Sequence, residues 1–411
     1  MPIIISLCSY YNEAIQDSLL KNSFFISLSR LSDVGFGFLF WLFAAKIYSI
    51  EDVGIACALI AFLDIIILLS RLGFDNSLIR FIPLREPKDV FNTSFWITCI
   101  ASSVIAIIFL CTISFISPTL LFITNSSLLF ILVVIACSIT FTTGFAFMAL
   151  RRSNYRFLQS LTMGIRIPLL VPLIIFGSLG IFLSVGIGYL IAAFVGLLII
   201  VTIIPIRYSI NREYIRESFN FNVLSYFASL TQVLPTLIIP ILILNILGSQ
   251  NAAQFSVAFA IGNIIYIIPT AIGTSFFVEG SHGINLRKGA IRSLTAIYVL
   301  LLPAVLVILL FGDSLLGLFG VEYIAGLDLL KFLAISSIFG TIYYIFVPLQ
   351  TIKMNVKNVV LINTLGMCLL LSLCYFLIIP WGLAGIGFAF LVTYILLGTC
   401  ILIWVKSLGW I

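Results

Sequence analysis

Long apolar segments dominate this chain and set the strongest limit on its fold. They reach about 20 residues or more, a length that spans roughly 30 Å of hydrocarbon as a helix. Hydrophobic residues make up 62% of the 411 positions and charged residues only 9%, against roughly 45 to 50% and 25% in soluble domains. Such continuous runs are typical of membrane-crossing helices and unlike the short alternating segments of a membrane barrel. The sequence therefore predicts an all-α polytopic membrane protein.

The apolar segments predict about twelve transmembrane helices. With the N-terminus inside, most of the 21 lysines and arginines fall in cytoplasmic loops, and only Lys46 and Lys331 fall outside. This positive-inside distribution predicts that both termini are cytoplasmic. The predicted spans are Asn22–Ala45, Val53–Leu72, Phe91–Phe115, Ser127–Leu150, Leu158–Phe176, Ile181–Ile204, Asn222–Ile246, Ala252–Val278, Ile291–Phe311, Leu327–Leu349, Val359–Ile379 and Leu383–Val405.

The predicted spans divide into two halves around one polar segment. Residues 207–220 (RYSINREYIRESFN) lie between the sixth and seventh spans and form the longest strongly polar stretch. A shift of about 200 residues brings Asp64 beside Asn263, a weak internal repeat. We therefore predict an N-terminal six-helix lobe at 1–206, a cytoplasmic linker at 207–220 and a C-terminal six-helix lobe at 221–411. A pseudo-two-fold axis along the membrane normal would relate the lobes.

The sequence carries no pattern for metal, nucleotide or nucleophilic chemistry. Its eight cysteines form no CxxC pair, and His282, the single histidine, excludes a multi-histidine metal site. Walker-type loops, HExxH and GxSxG are absent. We therefore expect no catalytic residue, no metal and no cofactor. The net charge of +6 is spread over the cytoplasmic loops, so it is a topology signal and not a sign of nucleic acid. The apolar start, Met1 to Tyr11, has no basic residue and no cleavage site, so we expect targeting by the first span.

Five ionisable residues fall inside the predicted spans of the N-terminal lobe. A charge at such a depth costs at least a few kcal/mol, so it marks function by default. Arg30 and Asp33 lie roughly 13 to 18 Å along the first span, Asp64 and Arg71 share a face of the second, and Arg166 lies in the fifth. Either these side chains face a wet cavity, or Arg30 pairs with Asp33 while Arg71 and Arg166 reach towards the headgroups. We favour the cavity for Arg30, Asp33 and Asp64, and the headgroups for Arg71.

The C-terminal lobe offers uncharged cavity candidates, Gln232 and Asn263. Prolines interrupt three of the predicted spans and leave backbone carbonyls without their usual donor. Such prolines either let a helix bend during gating or produce a static kink, and both readings stay open. They are Pro168 and Pro172 in the fifth span, Pro235 and Pro240 in the seventh, and Pro269 in the eighth.

Two stretches of the chain resemble a known transporter family. One is the first hairpin, KNSFFISLSRLSDVGFGFLFWLFAAKIYSIEDVG, followed by RLGFDNSLIRFIP, and the other is PWGLAGIGFAF at Pro380–Phe390. The chain resembles Wzx-type polysaccharide flippases, in the MOP superfamily that also holds MATE transporters and lipid II flippases. The resemblance implies a MATE/MOP-like fold in the inner (plasma) membrane.

The same resemblance implies a function in polysaccharide biosynthesis, such as that of lipopolysaccharide O-antigen. The implied substrate is a lipid-linked oligosaccharide on polyprenyl phosphate or pyrophosphate, flipped from the cytoplasmic to the outer leaflet by alternating access. The implied partners are membrane lipids and a polysaccharide polymerase, a chain-length regulator or glycosyltransferases. The family has a cationic central cavity, so we expect Arg30 and Arg166 to hold the phosphate. Asp33 or Asp64 would either bind a coupling H⁺ or Na⁺ or hold an arginine in place.

Two other functions compete with the flippase. A MATE-type exporter of drugs or organic cations would want a net acidic cavity, and the charges within the spans are not net acidic. A membrane-embedded polymerase or glycosyltransferase would need a sizeable outer loop with catalytic groups. The longest outer loop, near 312–326, carries only Asp313 and Glu322, so we expect a transporter and not an enzyme.

Overall fold

The computed structural model describes residues 2–281, 285–353 and 355–407, which are almost entirely helical. No strand occurs within these ranges, as the apolar segments predict. Short 3₁₀ segments join or extend some of the helices. The α-helices are α1 (Pro2–Ile47), α2 (Ile50–Ser70), α3 (Phe74–Phe81), α4 (Pro87–Ile116), α5 (Ser127–Ala149), α6 (Ser153–Thr162), α7 (Arg166–Leu169), α8 (Ser178–Val201), α9 (Arg212–Leu247), α10 (Ser249–Ser281), α11 (Leu286–Gly317), α12 (Leu327–Ile352) and α13 (Val356–Ser407).

Within the described ranges, 10 helical segments are long and apolar enough to cross a membrane. The prediction of about twelve differs from this number at two places. The continuous segment Lys357–Val405 holds the last two predicted spans. Gly382, at φ 54° and ψ −134°, interrupts its helical backbone between them. The other difference is the fifth predicted span, whose pieces are each too short to count.

The fifth predicted span is broken into short pieces. α6 gives way to a 3₁₀ turn at Met163–Ile165, the four-residue α7 follows, and a second 3₁₀ turn occupies Ile174–Phe176. Pro168 and Pro172 lie in or just after α7. Because proline has no N–H and its ring clashes with the preceding turn, two prolines four residues apart disfavour a regular helix here. The break makes Arg166 the first residue of its own short helix.

The chain packs as two compact units. The first contains Met1–Phe43 and Leu63–Tyr226, and the second contains Ala44–Phe62 and Phe227–Ile411. The α2 helix therefore starts in the second unit and ends in the first, and α9 runs from the first into the second. The sequence-based division into lobes at 1–206 and 221–411 stays a prediction.

The predicted linker 207–220 is partly helical and is tied to the first unit. α9 starts at Arg212, and the Asn211 side chain accepts a hydrogen bond from the Tyr214 backbone N–H at 3.0 Å, an N-cap that stabilises the first turn. Tyr214 is fully buried in an aromatic core with Phe81 and Phe91. The linker is therefore a structured part of the first unit. The polar sequence of the linker gives no sign that this tyrosine is buried.

The turn between α2 and α3 requires glycine. Gly73 has φ +80°, a left-handed conformation that L side chains disfavour. A Cβ at this position would also overlap the backbone carbonyl of Asn222. The first turns of α9 thus pack directly on this turn.

In the second unit, α10, α12 and α13 pack around buried aromatic and small side chains. Ala252 and Ala253 at the start of α10 are fully buried, and the Cys57 thiol in the first half of α2 hydrogen-bonds with the Ser256 hydroxyl. Small residues let membrane helices approach closely and leave backbone and side-chain polar groups within reach.

Candidate functional site

An ion pair in the first unit joins α1 to the broken fifth segment. Arg156 Nη2 lies 3.0 Å from Asp33 Oδ2, and the Arg156 and Asp33 side chains are 18% and 40% exposed. Ser160, one helical turn after Arg156, also donates its hydroxyl to Asp33 Oδ1. The partner of Asp33 is therefore on α6, and not Arg30 on its own helix.

Two features of the sequence allow Arg156 to reach Asp33. Gly144 of α5 leaves the space, since a Cβ there would lie only 3.0 Å from Arg156 Cδ. Gln159 anchors the same face of α6, because its amide donates to Thr143 Oγ1 at 2.9 Å and to the Ala192 carbonyl at 3.1 Å. The guanidinium is thus held by packing on one side and by the carboxylate on the other.

Arg30 lies beside this ion pair and has no ion pair or hydrogen bond of its own within the described residues. Its side chain is exposed and lines a cavity of about 180 Å³, together with Asp33, Arg156 and the rings of Phe141 and Phe145. An unpaired guanidinium next to a neutralised one leaves a net positive cavity wall. This wall presents N–H donors to an anion.

Arg71 packs against Phe141, which also lines the cavity beside Arg30. Its guanidinium carbon is 4.1 Å from the Phe141 ring centroid, a cation–π contact, and its Nη1 is 3.8 Å from Asp75 Oδ2. Its Nε is buried without a hydrogen-bond partner. The Arg71 side chain therefore packs within the first unit, and the choice between a cavity role and a headgroup role stays a prediction.

Arg166 and Asp64 complete the group of charges. The Arg166 guanidinium carbon lies 5.1 Å from the centroid of the fully buried Phe40 ring, and its Nε is buried with no partner. Arg166 is close enough to Asp33 and Asp64 for electrostatic attraction, and Asp64 likewise attracts Arg71.

The first unit thus gathers all five charges that the sequence places inside its spans and adds a sixth, Arg156. Four arginines face three carboxylates when Asp75 is included, so the group is net positive. A guanidinium in a low-dielectric site binds carboxylate or phosphate by paired hydrogen bonds. The arrangement suits an anionic group better than a cation. The residues are Arg30, Arg71, Arg156 and Arg166, with Asp33, Asp64 and Asp75.

The uncharged candidates of the second unit lie apart from each other. Gln232 on α9 lines a cavity of about 360 Å³, whereas Asn263 on α10 is exposed and is not part of its wall. Pro235 and Pro240 lie inside the continuous α9, and Pro269 lies inside α10. These three prolines do not break their helices.

Sequence reasoning missed Arg156 because it treated residues 151–156 as a cytoplasmic loop. The signal was present in the spacing. Arg156, Gln159 and Ser160 fall at i, i+3 and i+4, so they share one helical face. A polar stripe of this kind, running into a predicted span, indicates an inward-facing surface.

Within the described residues, no group of three or more histidine, cysteine, aspartate or glutamate side chains is placed to hold a metal ion. His282 lies outside the described residues. The expectation that no cofactor is needed stays a prediction.

The sequence of this chain matches the model of a known protein family. The model of a family described as polysaccharide biosynthesis protein matches residues 19–277, well over half of the 411 residues. The chain belongs to the polysaccharide biosynthesis protein family. The family confirms the resemblance predicted from the first hairpin, and the fold makes this member a multi-pass membrane protein. A search of curated proteins gave no match.

Solved structures of transporters share the fold. An inward-facing multidrug resistance MATE transporter of the MOP superfamily has a TM-score of 0.75 and 14% identity, covering 94% of this chain and 97% of its own. The outward-facing conformation of a multidrug resistance MATE transporter has a TM-score of 0.68 and 14% identity, and the match covers 95% of this chain and 94% of the transporter. The lipid II flippase MurJ, in an inward-closed conformation, has a TM-score of 0.68 and 16% identity, and the match covers 93% of this chain and 87% of MurJ. The predicted all-α, MATE/MOP-like fold is confirmed. At such low sequence identities, the structural similarity is evidence for the fold and not for the function.

Proposed function

We propose that this member of the polysaccharide biosynthesis protein family is a flippase for a lipid-linked oligosaccharide. The observation that carries the proposal is the unpaired Arg30 in a cavity wall beside the Arg156–Asp33 pair. A family tied to polysaccharide synthesis and a net positive interior together favour an anionic, sugar-bearing substrate. An oligosaccharide linked to polyprenyl phosphate or pyrophosphate has both features.

In this proposal the arginines have two different roles, phosphate binding and helix positioning. Arg30 and Arg166 bind phosphate oxygens, because each has guanidinium donors without a carboxylate partner at hydrogen-bond distance. Arg156 is neutralised by Asp33 and positions α6 against α1. Burying cations in a membrane protein is costly, so a ligand that neutralises them binds with a favourable electrostatic term.

The transport cycle follows from the same groups. Binding the phosphate would attract Arg30 and Arg166 to the ligand and would weaken the attraction of Arg166 to Asp33 and Asp64. Asp64, or Asp33 once Arg156 and Ser160 release it, would then take a proton or Na⁺, which couples the movement to an ion gradient. Alternating access would carry the saccharide from the cytoplasmic to the outer leaflet while the lipid tail stays in the bilayer.

The proposal also places the protein in its cell. We infer a location in the inner (plasma) membrane with both termini cytoplasmic, near a polymerase, a chain-length regulator or glycosyltransferases of the same biosynthesis. It acts as a transporter without catalysing a covalent step. A MATE-type export of organic cations is disfavoured, because the charges of the first unit would repel a cation.

A cellular assay tests this proposal. In a strain that depends on this protein for its surface polysaccharide, Arg30→Ala and Arg166→Ala should abolish the surface polymer and leave lipid-linked precursor accumulated inside. Arg152→Ala, at an exposed arginine of the same unit, is the matched control and should keep the polymer. Normal surface polymer in both the Arg30→Ala and the Arg166→Ala variants, at equal protein abundance, would refute the assigned roles.

A further inference from the structure

The cavity in the second unit is chemically different from the charged one. It occupies about 360 Å³ between α9, α12 and α13, and none of its lining side chains is charged. The wall combines tyrosine rings, hydroxyl groups and amide groups with apolar side chains such as Leu370 and Leu397. A cavity of that size holds one or two sugar rings, because small-molecule sites are typically of about 300 to 1,000 Å³.

Tyrosines form one wall of this cavity. The rings of Tyr343 and Tyr344 are 5.3 Å apart at 82°, and those of Tyr343 and Tyr394 are 6.4 Å apart at 61°. Tyr344 and Tyr394 are joined by a side-chain hydrogen bond. Aromatic side chains present a flat apolar face with a polar tip, and the C–H faces of a sugar ring pack on such a face.

The part of α9 that lines this cavity contains prolines, which remove backbone N–H donors from the helix. Pro235 has no N–H to donate to the carbonyl four residues earlier, at Thr231, and Pro240 likewise cannot bond the carbonyl of Thr236. Thr231, Thr236 and Pro235 all line the cavity. The two prolines therefore leave the carbonyls of Thr231 and Thr236 without their usual helical donor, at two cavity-lining residues that are five positions apart.

Side chains with unused hydrogen-bonding capacity complete the lining. Thr393 Oγ1 is buried without a partner. Asn363 uses its carbonyl oxygen to accept from the Tyr343 hydroxyl at 2.9 Å, which keeps its amide NH₂ as a donor. Gln232 is exposed on the cavity wall and offers both kinds of group. A buried polar group without a partner is costly, and a ligand hydroxyl at Thr393 would remove that cost.

We propose that this cavity binds the uncharged sugar of the lipid-linked saccharide and selects it against acidic sugars. The inference rests on the proposed flippase function and names the chemistry that the second unit recognises. Sugar hydroxyls both donate and accept, which matches a wall of free carbonyls, hydroxyls and amides. A uronic acid carboxylate would enter beside carbonyl oxygens with no cation to balance it, and this is unfavourable.

The assignment also gives Pro235 and Pro240 a role that differs from bending. A gating proline affects every substrate equally, since all substrates need the same conformational change. A proline that frees an acceptor for a sugar hydroxyl affects sugar recognition alone. The Pro235→Ala variant separates the two roles, because alanine restores the N–H donor and favours the helix.

The test uses the full chain in liposomes with two polyprenyl pyrophosphate compounds that differ in one sugar, N-acetylglucosamine or glucuronic acid. The wild-type protein should flip the neutral compound faster, and Gln232→Met and Pro235→Ala should each slow it by roughly 2- to 10-fold, the loss of one hydrogen bond. Gln232→Lys should raise the rate for the acidic compound. Gln250→Lys, the same change at an exposed glutamine outside the cavity, is the matched control and should leave both rates unchanged.

Each result bears on one claim. Equal wild-type rates for the two compounds, or variants that slow both compounds alike, would overturn the sugar assignment while leaving the flippase intact. Competition by the organic cation tetraphenylphosphonium that depends on Tyr394 would overturn it in favour of a cation site. No flipping of either compound by the wild-type protein would refute the proposed function itself.

Discussion

The Asp33–Arg156 pair offers a decisive test of the site. The sequence left open that Asp33 pairs with Arg30, three residues earlier on the same helix. The structure instead places Arg156 Nη2 3.0 Å from Asp33 Oδ2. A double-mutant cycle separates these partners, because only residues in contact show coupling beyond a few tenths of a kcal/mol.

The magnitude follows from exposure and from the number of bonds lost. Removing one partner of a fully buried ion pair costs roughly 3 to 5 kcal/mol, while exposed pairs couple by roughly 0.2 to 1 kcal/mol. Since Arg156 is 18% exposed and Asp33 is 40% exposed, we expect a coupling of about 1 kcal/mol for this pair. Asp33→Ala should cost about 2 kcal/mol in total, because Ser160 also loses a charged acceptor.

The assay is unfolding of the purified protein in mixed micelles, for the single variants Asp33→Ala, Arg156→Ala and Arg30→Ala and for the two double variants. We expect a coupling of about 1 kcal/mol between Asp33 and Arg156. The coupling between Asp33 and Arg30 should be smaller, at most the roughly 0.2 to 0.5 kcal/mol of an i,i+3 charge pair on a helix. The reverse result, coupling to Arg30 and none to Arg156, would refute the assigned geometry of the site.

Two further predictions concern the fold of the first unit. Gly73→Ala should destabilise the protein by at least about 2 kcal/mol, since it adds left-handed strain and a clash with the Asn222 carbonyl. The control Gly35→Ala lies in a helix with no atom within 4 Å of the added Cβ. It should be neutral or slightly stabilising in the same thermal unfolding assay, and equal losses in both variants would contradict the argument. Asn211→Ala should cost about 1 kcal/mol by removing the cap on the Tyr214 N–H, and unchanged hydrogen exchange at the start of α9 would argue against it.

Apolar length and loop charge were sufficient to predict the helices, because lipid leaves the backbone few alternatives. The positions at which a helix breaks were harder to predict from the sequence. Pro168 and Pro172 signalled the irregular fifth segment, yet Pro235 and Pro240 lie inside an unbroken α9. A proline costs one hydrogen bond in either case, and packing around the helix decides whether it also ends it.

The individual charges could be found from sequence, but their partners could not. Arg30, Asp33 and Arg166 stood out because charge is rare in apolar segments. The pairing of Asp33 with Arg156 joins positions 123 residues apart, and no local spacing reports such a contact. The tyrosine cavity was missed for a related reason, since Tyr343 and Tyr394 look like ordinary span residues until α12 and α13 pack together.

Direct observation of flipping in reconstituted liposomes tests the central claim most directly. The full chain would be reconstituted with a polyprenyl pyrophosphate-linked oligosaccharide, and a membrane-impermeant glycosidase would report the fraction of sugar at the outer surface. We predict that the wild-type protein and Arg152→Ala expose the inner pool with time, whereas Arg30→Ala and Arg166→Ala behave like protein-free liposomes. Wild-type liposomes whose inner pool stays protected would contradict the account.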